Sequence, residues 1–304
     1  MSGAKGPRGI AAVLGGTRGL GRELAREAMR HDCGVVVYGR SAAPAEAPAA
    51  EVPEAETLAA EVTAAAVPAA RAQPLRARAL DLTDPAAVDA VDLAELRGPG
   101  PLYLFWVAGE FRKQPLAETA AEDADRLTAL LWQGPVRLLR RLLADRLRQP
   151  SPPQPLHLVT VASASSWRAR EEQSLYCGLK AAQAAFTRAL TPELLRADPR
   201  NRVTLIQPGA MATPGFHDVL GLTPEELDAF MDPAVVAAHI WQLVNRPEHP
   251  ARRFLEAHLL RGPADPVTGH AVPRLLLGPQ APEAPPPPDR PHRSGRPLPE
   301  AARL

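Results

Sequence analysis

The chain has 304 residues, 45% of them hydrophobic, and its 35 basic and 34 acidic side chains leave a net charge of +1. That composition suits a globular protein with a substantial core, and the near-zero charge gives no electrostatic case for nucleic acid or an anionic membrane as partner. Two cysteines, Cys33 and Cys177, offer neither a disulfide framework nor a metal-ligand cluster, and no apolar run approaches the roughly 20 residues that cross a bilayer.

In chain order, Met1 to Arg8 lacks the apolar core of a signal peptide, so the expectation is a soluble, cytoplasmic protein without a metal. Ile10 to Leu14 reads as a short buried strand, followed by glycines and a helix from Gly19 to about His31. Val35 to Tyr38, rich in β-branched residues, is a second strand. Ser41 to Pro53 is an Ala/Pro/Glu stretch expected to form a surface insertion or long loop, before a helix over Glu54 to Ala66. Arg76 to Leu80 leads into Asp81-Leu82-Thr83-Asp84, and Leu102 to Val107 is another strand.

Glu122 to Arg148 has the spacing of a long amphipathic helix, with Leu127, Leu130, Leu131, Leu138, Leu142 and Leu147 near one face. A strand over Leu156 to Val161, a helix over Ser174 to Leu195 and a last core strand over Val203 to Ile206 follow. Thr223 to Glu226 forms a capping box with proline at the first helical position, and Asp232-Pro233 opens a helix running to about Val244. Ala281 to Pro299 holds four consecutive prolines, Pro285 to Pro288, and is expected to be a disordered or polyproline II tail. No internal repeat interrupts the pattern. Alternation of strands and helices argues for an α/β fold, a parallel sheet covered by helices on both faces.

Two segments of this pattern carry chemistry. Gly15-Gly16-Thr17-Arg18-Gly19-Leu20-Gly21 joins the first strand to the first helix. Glycines there let backbone N–H groups approach a pyrophosphate, which the positive end of the helix favours. The second is Tyr176-x-x-x-Lys180, in a chain with only three tyrosines and, at Lys5, Lys113 and Lys180, only three lysines. Such a pairing arises by chance in about 3% of chains of this composition. On a helix the two residues share one face, and a cation beside a phenol is expected to lower the tyrosine pKa, making Tyr176 a proton donor and acceptor.

Together these residues resemble the short-chain dehydrogenase/reductase family, and four more matches follow in order. Ser163, thirteen residues before Tyr176 and just after a strand, stands at the family's catalytic serine. Asp81-Leu82 resembles the acidic pair near the adenine, Val107-Ala108-Gly109 the N-A-G motif, and Pro208-Gly209 with Thr213 the P-G-x-x-x-T that contacts the nicotinamide end. The resemblance covers residues 8 to 215 and implies a single Rossmann-type domain over residues 1–278, a doubly wound parallel sheet, with residues 279–304 as the tail.

The resemblance also implies roles. Ser163, Tyr176 and Lys180 form the catalytic set: Tyr176 gives a proton to a substrate carbonyl oxygen, Ser163 polarises that oxygen, and Lys180 binds the nicotinamide ribose. Gly15, Thr17, Arg18, Gly19, Leu20, Gly21, Arg40, Asp81, Leu82, Ala108, Gly109, Pro208, Gly209 and Thr213, with Tyr176 and Lys180, hold the cofactor. The second strand ends Tyr38-Gly39-Arg40-Ser41, without the acid that NAD-selective folds use for the ribose hydroxyls. Arg40 and Arg18 suit a 2′-phosphate instead, so NADP(H) is expected over NAD(H). The substrate is then a small carbonyl compound or secondary alcohol.

Walls for it would come from Pro214 to Asp232, with Phe216, His217, Leu220, Leu222, Phe230 and Met231, and from Phe111 and Trp167; the same residues equally suit docking of a lid helix. Ser165 and Ser166 read as turn residues, His217 as a loop histidine and Cys177 as a packing cysteine. Two departures stand out. The family's asparagine in the long helix falls on Leu131, which leaves Trp132 and Gln133 as stand-ins or a missing relay to Lys180, and Trp106-Val107 replace the asparagines before Ala108. These keep open an alternative, a catalytically weak NADP(H)-binding regulatory or scaffold protein. An extended sugar-nucleotide epimerase fits poorly, because its glycine spacing differs and too little chain remains for a substrate domain. The family's closing T-G-x-x-(I/L)-x-V-D-G-G strand is not recognisable in Arg261 to Leu277, a region tetramers use. The assembly implied is a homodimer through the long helices or a homotetramer.

Overall fold

Strand β1 (Ile10–Leu14) is buried at every position. Ala11 and Val13 join the core on one side of it, and Ile10, Ala12 and Leu14 the core on the other, the two-residue period of a strand. Such a strand needs cover on both faces, and a computed structural model of the protein supplies it. The structure describes residues 8–40, 75–149, 153–223, 226–227, 229–245 and 253–279, without the side chains at 214, 217 and 218.

The sheet continues with β2 (Gly34–Gly39), β3 (Leu75–Ala79), β4 (Leu102–Trp106), β5 (Leu156–Val161), β6 (Arg202–Pro208), β7 (Phe254–Ala264) and β8 (Ala271–Leu277). Its order is β3-β2-β1-β4-β5-β6-β7-β8. Every neighbouring pair is parallel except β7 and β8. Helices α1 (Gly19–Arg30) and, near the C-terminal end, α7 (Pro233–Val244) cover one face. There Leu20, Leu24 and Ala28 meet Val236, Ile240 and Trp241 over Val13, Val37 and Phe105. Leu24, with no exposure, contributes about 1.5–3 kcal/mol by its burial.

The other face is covered by α2 (Pro85–Ala90), α4 (Gly134–Leu147) and α5 (Ser174–Ala197) through Val88, Leu138, Leu142, Leu190 and Leu194. The helix before α4 is α3 (Ala121–Thr128), and α6 (Pro214–Leu220) follows β6. The expected cap at Asp232 forms, accepting from Ala234 N at 2.7 Å, and Asp84 adds a cap to α2 by accepting from Ala86 N at 2.8 Å. The capping box closes with Thr223 N donating to Glu226 Oε2 at 2.8 Å and Glu226 N to Thr223 Oγ1 at 3.3 Å.

Three expectations change. The long helix is interrupted: a π turn over Ala129–Gln133 separates α3 from α4, and Pro135 sits in the first turn of α4. Leu147 is 77% exposed rather than on the buried face, because it lies five residues, or roughly 140° of helical turn, beyond Leu142. The sheet also does not end at Ile206. Strand β7 escapes a hydrophobic reading because Glu256 and His258 alternate with the buried Ala257 and Leu259. Glu256 and the Nε2 side of the His258 ring are buried with partners. Arg188 on α5 grips Glu256 with Nε at 2.9 Å and Nη2 at 2.6 Å, Gln207 Nε2 donates to Glu256 Oε1 at 2.6 Å, and His258 Nε2 lies 2.9 Å from the Gly278 carbonyl. Burial pushes the Glu256 carboxyl up, but hydrogen bonds from His258 and Arg188 win and bring it down to about 2. The predicted insertion over 41–53, the helix over 54–66 and the tail over 281–299 lie outside the described residues.

Candidate active site

From β1 the chain moves outward to β2 and β3, then returns to β4 on the other side of β1. At such a reversal the loops leaving neighbouring strands part, which opens a crevice at the strands' carboxyl ends. Here that crevice is a cleft of about 820 Å³.

One half of the cleft is the glycine loop. Gly15 has φ +85°, and a Cβ on it would lie 2.7 Å from Ala108 Cα. A Cβ on Gly21 would lie 2.1 Å from the Gly15 carbonyl oxygen. Both positions therefore admit only glycine, and the turn between them stays narrow enough to present backbone to a ligand. Helix α1 begins at Gly19, and the residue before it, Arg18, makes no side-chain cap, so the first-turn N–H groups are left for an anion. Thr17, Arg18, Gly19, Leu20 and Gly21 line the cleft, with Arg18 and Arg40 both exposed at its edge. This cradle fits a pyrophosphate, with Arg18 and Arg40 among the residues around it.

Leu80 and Leu82 line the cleft further along, together with Ala108 and Gly109. Asp81 is not in the lining. Its carboxylate accepts from Thr83 N at 2.8 Å and Thr83 Oγ1 at 2.7 Å, and these bonds hold it below the usual carboxylate range against the opposing effect of burial. Pro208 and Gly209 close the far end, where Gly209 N donates to the Leu259 carbonyl at 2.9 Å. Thr213 packs against the loop, 3.4 Å from where a Gly19 Cβ would stand.

Between these halves lie Ser163, Tyr176 and Lys180. Ser163 caps a single 3₁₀ turn, Ala164–Ser166, by accepting from Ser165 N at 3.1 Å. That leaves its own proton for the neighbouring Tyr176 phenol, whose pKa Ser163 lowers. Ser166 donates to the Ser163 carbonyl at 2.6 Å and so stabilises the turn. Tyr176 stands in the first turn of α5, with the Phe111 ring edge-on at 5.4 Å. Lys180, one turn on, is 4% exposed, and its Nζ lies 5.9 Å from the Tyr176 ring centroid.

The expected lowering of the Tyr176 phenol is reversed here. Burial pushes it up to about 12, only partly offset by the Ser163 hydrogen bond. Burial also drives Lys180 down to about 7; among the described residues its Nζ meets the Val161 carbonyl and Gln183 Oε1, both at 3.1 Å, and no carboxylate. A half-neutral lysine cannot depress the phenol as a full cation would.

Near Tyr176 the cleft is walled by Phe111, Phe216, Leu220 and Phe230, with Phe111–Phe216 centroids 4.8 Å apart and Phe216–Phe230 5.2 Å apart. Two expected walls are elsewhere. Met231 is fully buried in the core, bridging Met211 and Ala271, and Trp167 packs edge-on against His258 at 5.4 Å. Leu222 is also outside the lining, and the His217 side chain is outside the description. Cys177 packs with its Sγ 3.9 Å from the Arg168 carbonyl, and burial raises its thiol.

Several lining residues were not legible. Met211, Gln173, Arg168, Arg170 and Lys113 come from loops whose course no periodicity reveals, and Arg261 from β7. Gln183, which touches Lys180, did carry a signal. It belongs with Thr187 and Thr191 to a polar row at helical spacing on the buried face of α5.

An open crevice at the switch point of a mostly parallel sheet, with a glycine cradle at a helix start, defines a Rossmann-type nucleotide-binding domain. Residues 9–220 match the family profile described as short chain dehydrogenase, and the chain belongs to that family of pyridine-nucleotide oxidoreductases. No curated protein sequence matches it.

Solved structures with the same fold include a short-chain dehydrogenase from Streptomyces avermitilis, 24% identical, TM-score 0.61, covering 85% of this chain and 89% of that one. A 3-ketoacyl-(acyl-carrier-protein) reductase from Brucella melitensis, complexed with NADH, is 21% identical, TM-score 0.63, covering 84% and 97%. A short-chain dehydrogenase from Sphingobium yanoikuyae in complex with NADPH is 19% identical, TM-score 0.64, covering 82% and 87%.

Proposed function

We propose that the protein is an NADP(H)-dependent oxidoreductase interconverting a carbonyl and a secondary alcohol, with Ser163, Tyr176 and Lys180 as its working groups. The observation that carries this reading is the burial of Lys180 beside Tyr176 and open to the cleft, without a carboxylate partner among the described residues. Burying an ammonium against neutral acceptors costs several kcal/mol, a cost that core packing does not require and a functional site does.

The glycine loop, Arg18, Arg40, Gly109, Pro208, Gly209 and Thr213 would hold the nicotinamide cofactor, which would supply or accept hydride. The chain's own residues handle the proton. At neutral pH the Tyr176 phenol is protonated, the form a donor needs. It gives its proton to the carbonyl oxygen as negative charge develops there, while the Ser163 hydroxyl donates to the same atom. The phenolate left behind draws Lys180 fully into its ammonium form, since each charge stabilises the other. In the oxidising direction the phenolate accepts the alcohol proton, so that direction gains as pH rises. The aromatic wall of Phe111, Phe216 and Phe230 suits a substrate with an apolar body next to its carbonyl.

The competing reading, a cofactor-binding regulator or scaffold with little catalysis, draws on Leu131 in place of an asparagine. NADPH oxidation against a panel of ketones, aldehydes and quinones separates the two. Turnover lost in Tyr176→Phe supports the enzyme, whereas NADPH binding with no turnover by either protein supports the scaffold.

A further inference from the structure

We propose that Gln183 is the positioning residue of this site: it anchors the Lys180 ammonium through its amide oxygen while its amide nitrogen is tied to the backbone carbonyl of Leu131. The catalytic consequence rests on the oxidoreductase reading above, but the anchoring itself does not.

The starting point is Pro135. Proline has no N–H, so the carbonyl four residues earlier, that of Leu131, lacks its α-helical donor. It falls in the π turn over Ala129–Gln133, where the helix is already irregular. Leu131 is fully buried, so water does not reach it freely, and an unpaired carbonyl there would be costly. Gln183 Nε2 supplies the missing donor at 2.7 Å.

The other end of the amide then has a fixed task. A carbonyl only accepts and an ammonium only donates, so the amide must turn its nitrogen to Leu131 and its oxygen to Lys180. That oxygen accepts from Nζ at 3.1 Å. The Val161 carbonyl accepts a second N–H at 3.1 Å, which leaves the third for the cleft. Three rigid elements, β5, the π turn and α5, thus locate one flexible side chain. Neither sequence-level stand-in does this. Gln133 is exposed, and Trp132 packs on Trp106 and Phe186 at 6.3 and 5.3 Å.

Gln183 is itself held. It is fully buried, and its backbone carbonyl accepts from Thr187 Oγ1 at 2.8 Å. Around Nζ, Tyr176 on the same helix is the titratable neighbour. From β5 comes the Val161 carbonyl, from the π turn only the amide-linked Leu131, and from the loop after β4 Gly109, whose Cβ would stand 3.5 Å away.

The test exploits the rarity of lysine. With three lysines in the chain, ¹⁵N-lysine labelling gives three Nζ resonances, and the one missing in Lys180→Met is Lys180. Gln183→Met keeps the side-chain volume but removes both bonds, and Gln183→Glu keeps an acceptor for Lys180 while losing the donor to Leu131. We expect Nζ of Lys180 to titrate about one unit lower in Gln183→Met, for loss of one hydrogen bond to a charged group. It should titrate above wild type in Gln183→Glu, with the alkaline limb of turnover moving the same way in each case. Turnover in Gln183→Met should fall roughly 10–100-fold.

Unchanged Lys180 titration in Gln183→Met, or identical shifts in both variants, overturns the proposal. If Gln183→Met does not fold, the Gln183→Glu titration decides alone. Should Tyr176→Phe turn over as fast as wild type, the oxidoreductase reading falls, and the resonance of Lys180 still decides the role of Gln183.

Discussion

The Cα of Ala108 stands 2.7 Å from the point a Cβ on Gly15 would occupy, so the loop after β1 and the loop after β4 touch through the absence of a side chain. Gly15 also has φ +85°, a conformation other residues adopt only under strain. Gly15→Ala should therefore destabilise the protein by about 1–3 kcal/mol. It should also abolish NADPH binding in a fluorescence titration, because the displaced loop no longer presents its N–H groups. A variant that binds NADPH normally would refute the assignment of this loop to the cofactor.

In the proposed reading, Arg18 and Arg40 at the edge of the cleft set cofactor choice. Arg40→Asp exchanges a partner for phosphate for one that suits ribose hydroxyls. NADPH affinity should fall roughly 10–100-fold, equivalent to losing one charge-assisted hydrogen bond, while NADH affinity holds or improves. Equal losses for both cofactors would show that Arg40 does not read the 2′-phosphate.

The depressed pKa of Lys180 makes a stability prediction with a defined sign. Folded Lys180 loses its proton near 7, whereas an unfolded lysine keeps it to about 10.4. Between those values the unfolded chain binds more protons, so stability rises with pH across that window. Below pH 7 both states carry the charge, and the slope from this group vanishes. Denaturant melts of cofactor-free wild type and Lys180→Met at pH 7 and 9.5 measure it. The wild-type gain should be on the order of a few kcal/mol larger than that of the variant. Parallel pH profiles would mean that Lys180 stays charged in the fold.

Glu256 gives a test outside the cleft. Glu256→Ala leaves Arg188 and Gln207 Nε2 without their acceptor and should cost about 2–4 kcal/mol, the cost of breaking a buried pair moderated by the partial exposure of Arg188. Glu256→Gln keeps part of the bonding and should cost less. A thermal melt distinguishes the three proteins.

Much of this molecule can be read from its residues. Strands β1, β2, β4, β5 and β6 announce themselves as short, mainly apolar runs, α1 and α5 by their helical stretches, and α7 because its Asp232 cap and a helical period agree. The glycine loop, Ser163, Tyr176 and Lys180 carry their own spacing, and the fold brings them to one cleft. What stays hidden depends on partners far away in the chain. Strand β7 is disguised by Glu256 and His258, whose cost is cancelled by Arg188 and Gln207, and no local pattern reveals such a partner. The anchoring of Lys180 is hidden for a related reason: it passes through the Leu131 backbone, which is the same for every residue type. The direction of the Tyr176 shift failed on magnitude, since burial outweighs a cation that burial itself has weakened.

The polar strand β7 also says where the cooperative unit lies. Similarity to the family profile stops at residue 220. Yet Glu256 clamps Arg188, on the same helix as Tyr176 and Lys180, and Gln207, just before Pro208 and Gly209. A fragment cut at the edge of the recognisable sequence would keep every motif and lose the counter-charge that secures two of them. The segment least like the family is thus a structural dependency of the part most like it, and the boundary of resemblance is not the boundary of the folding unit.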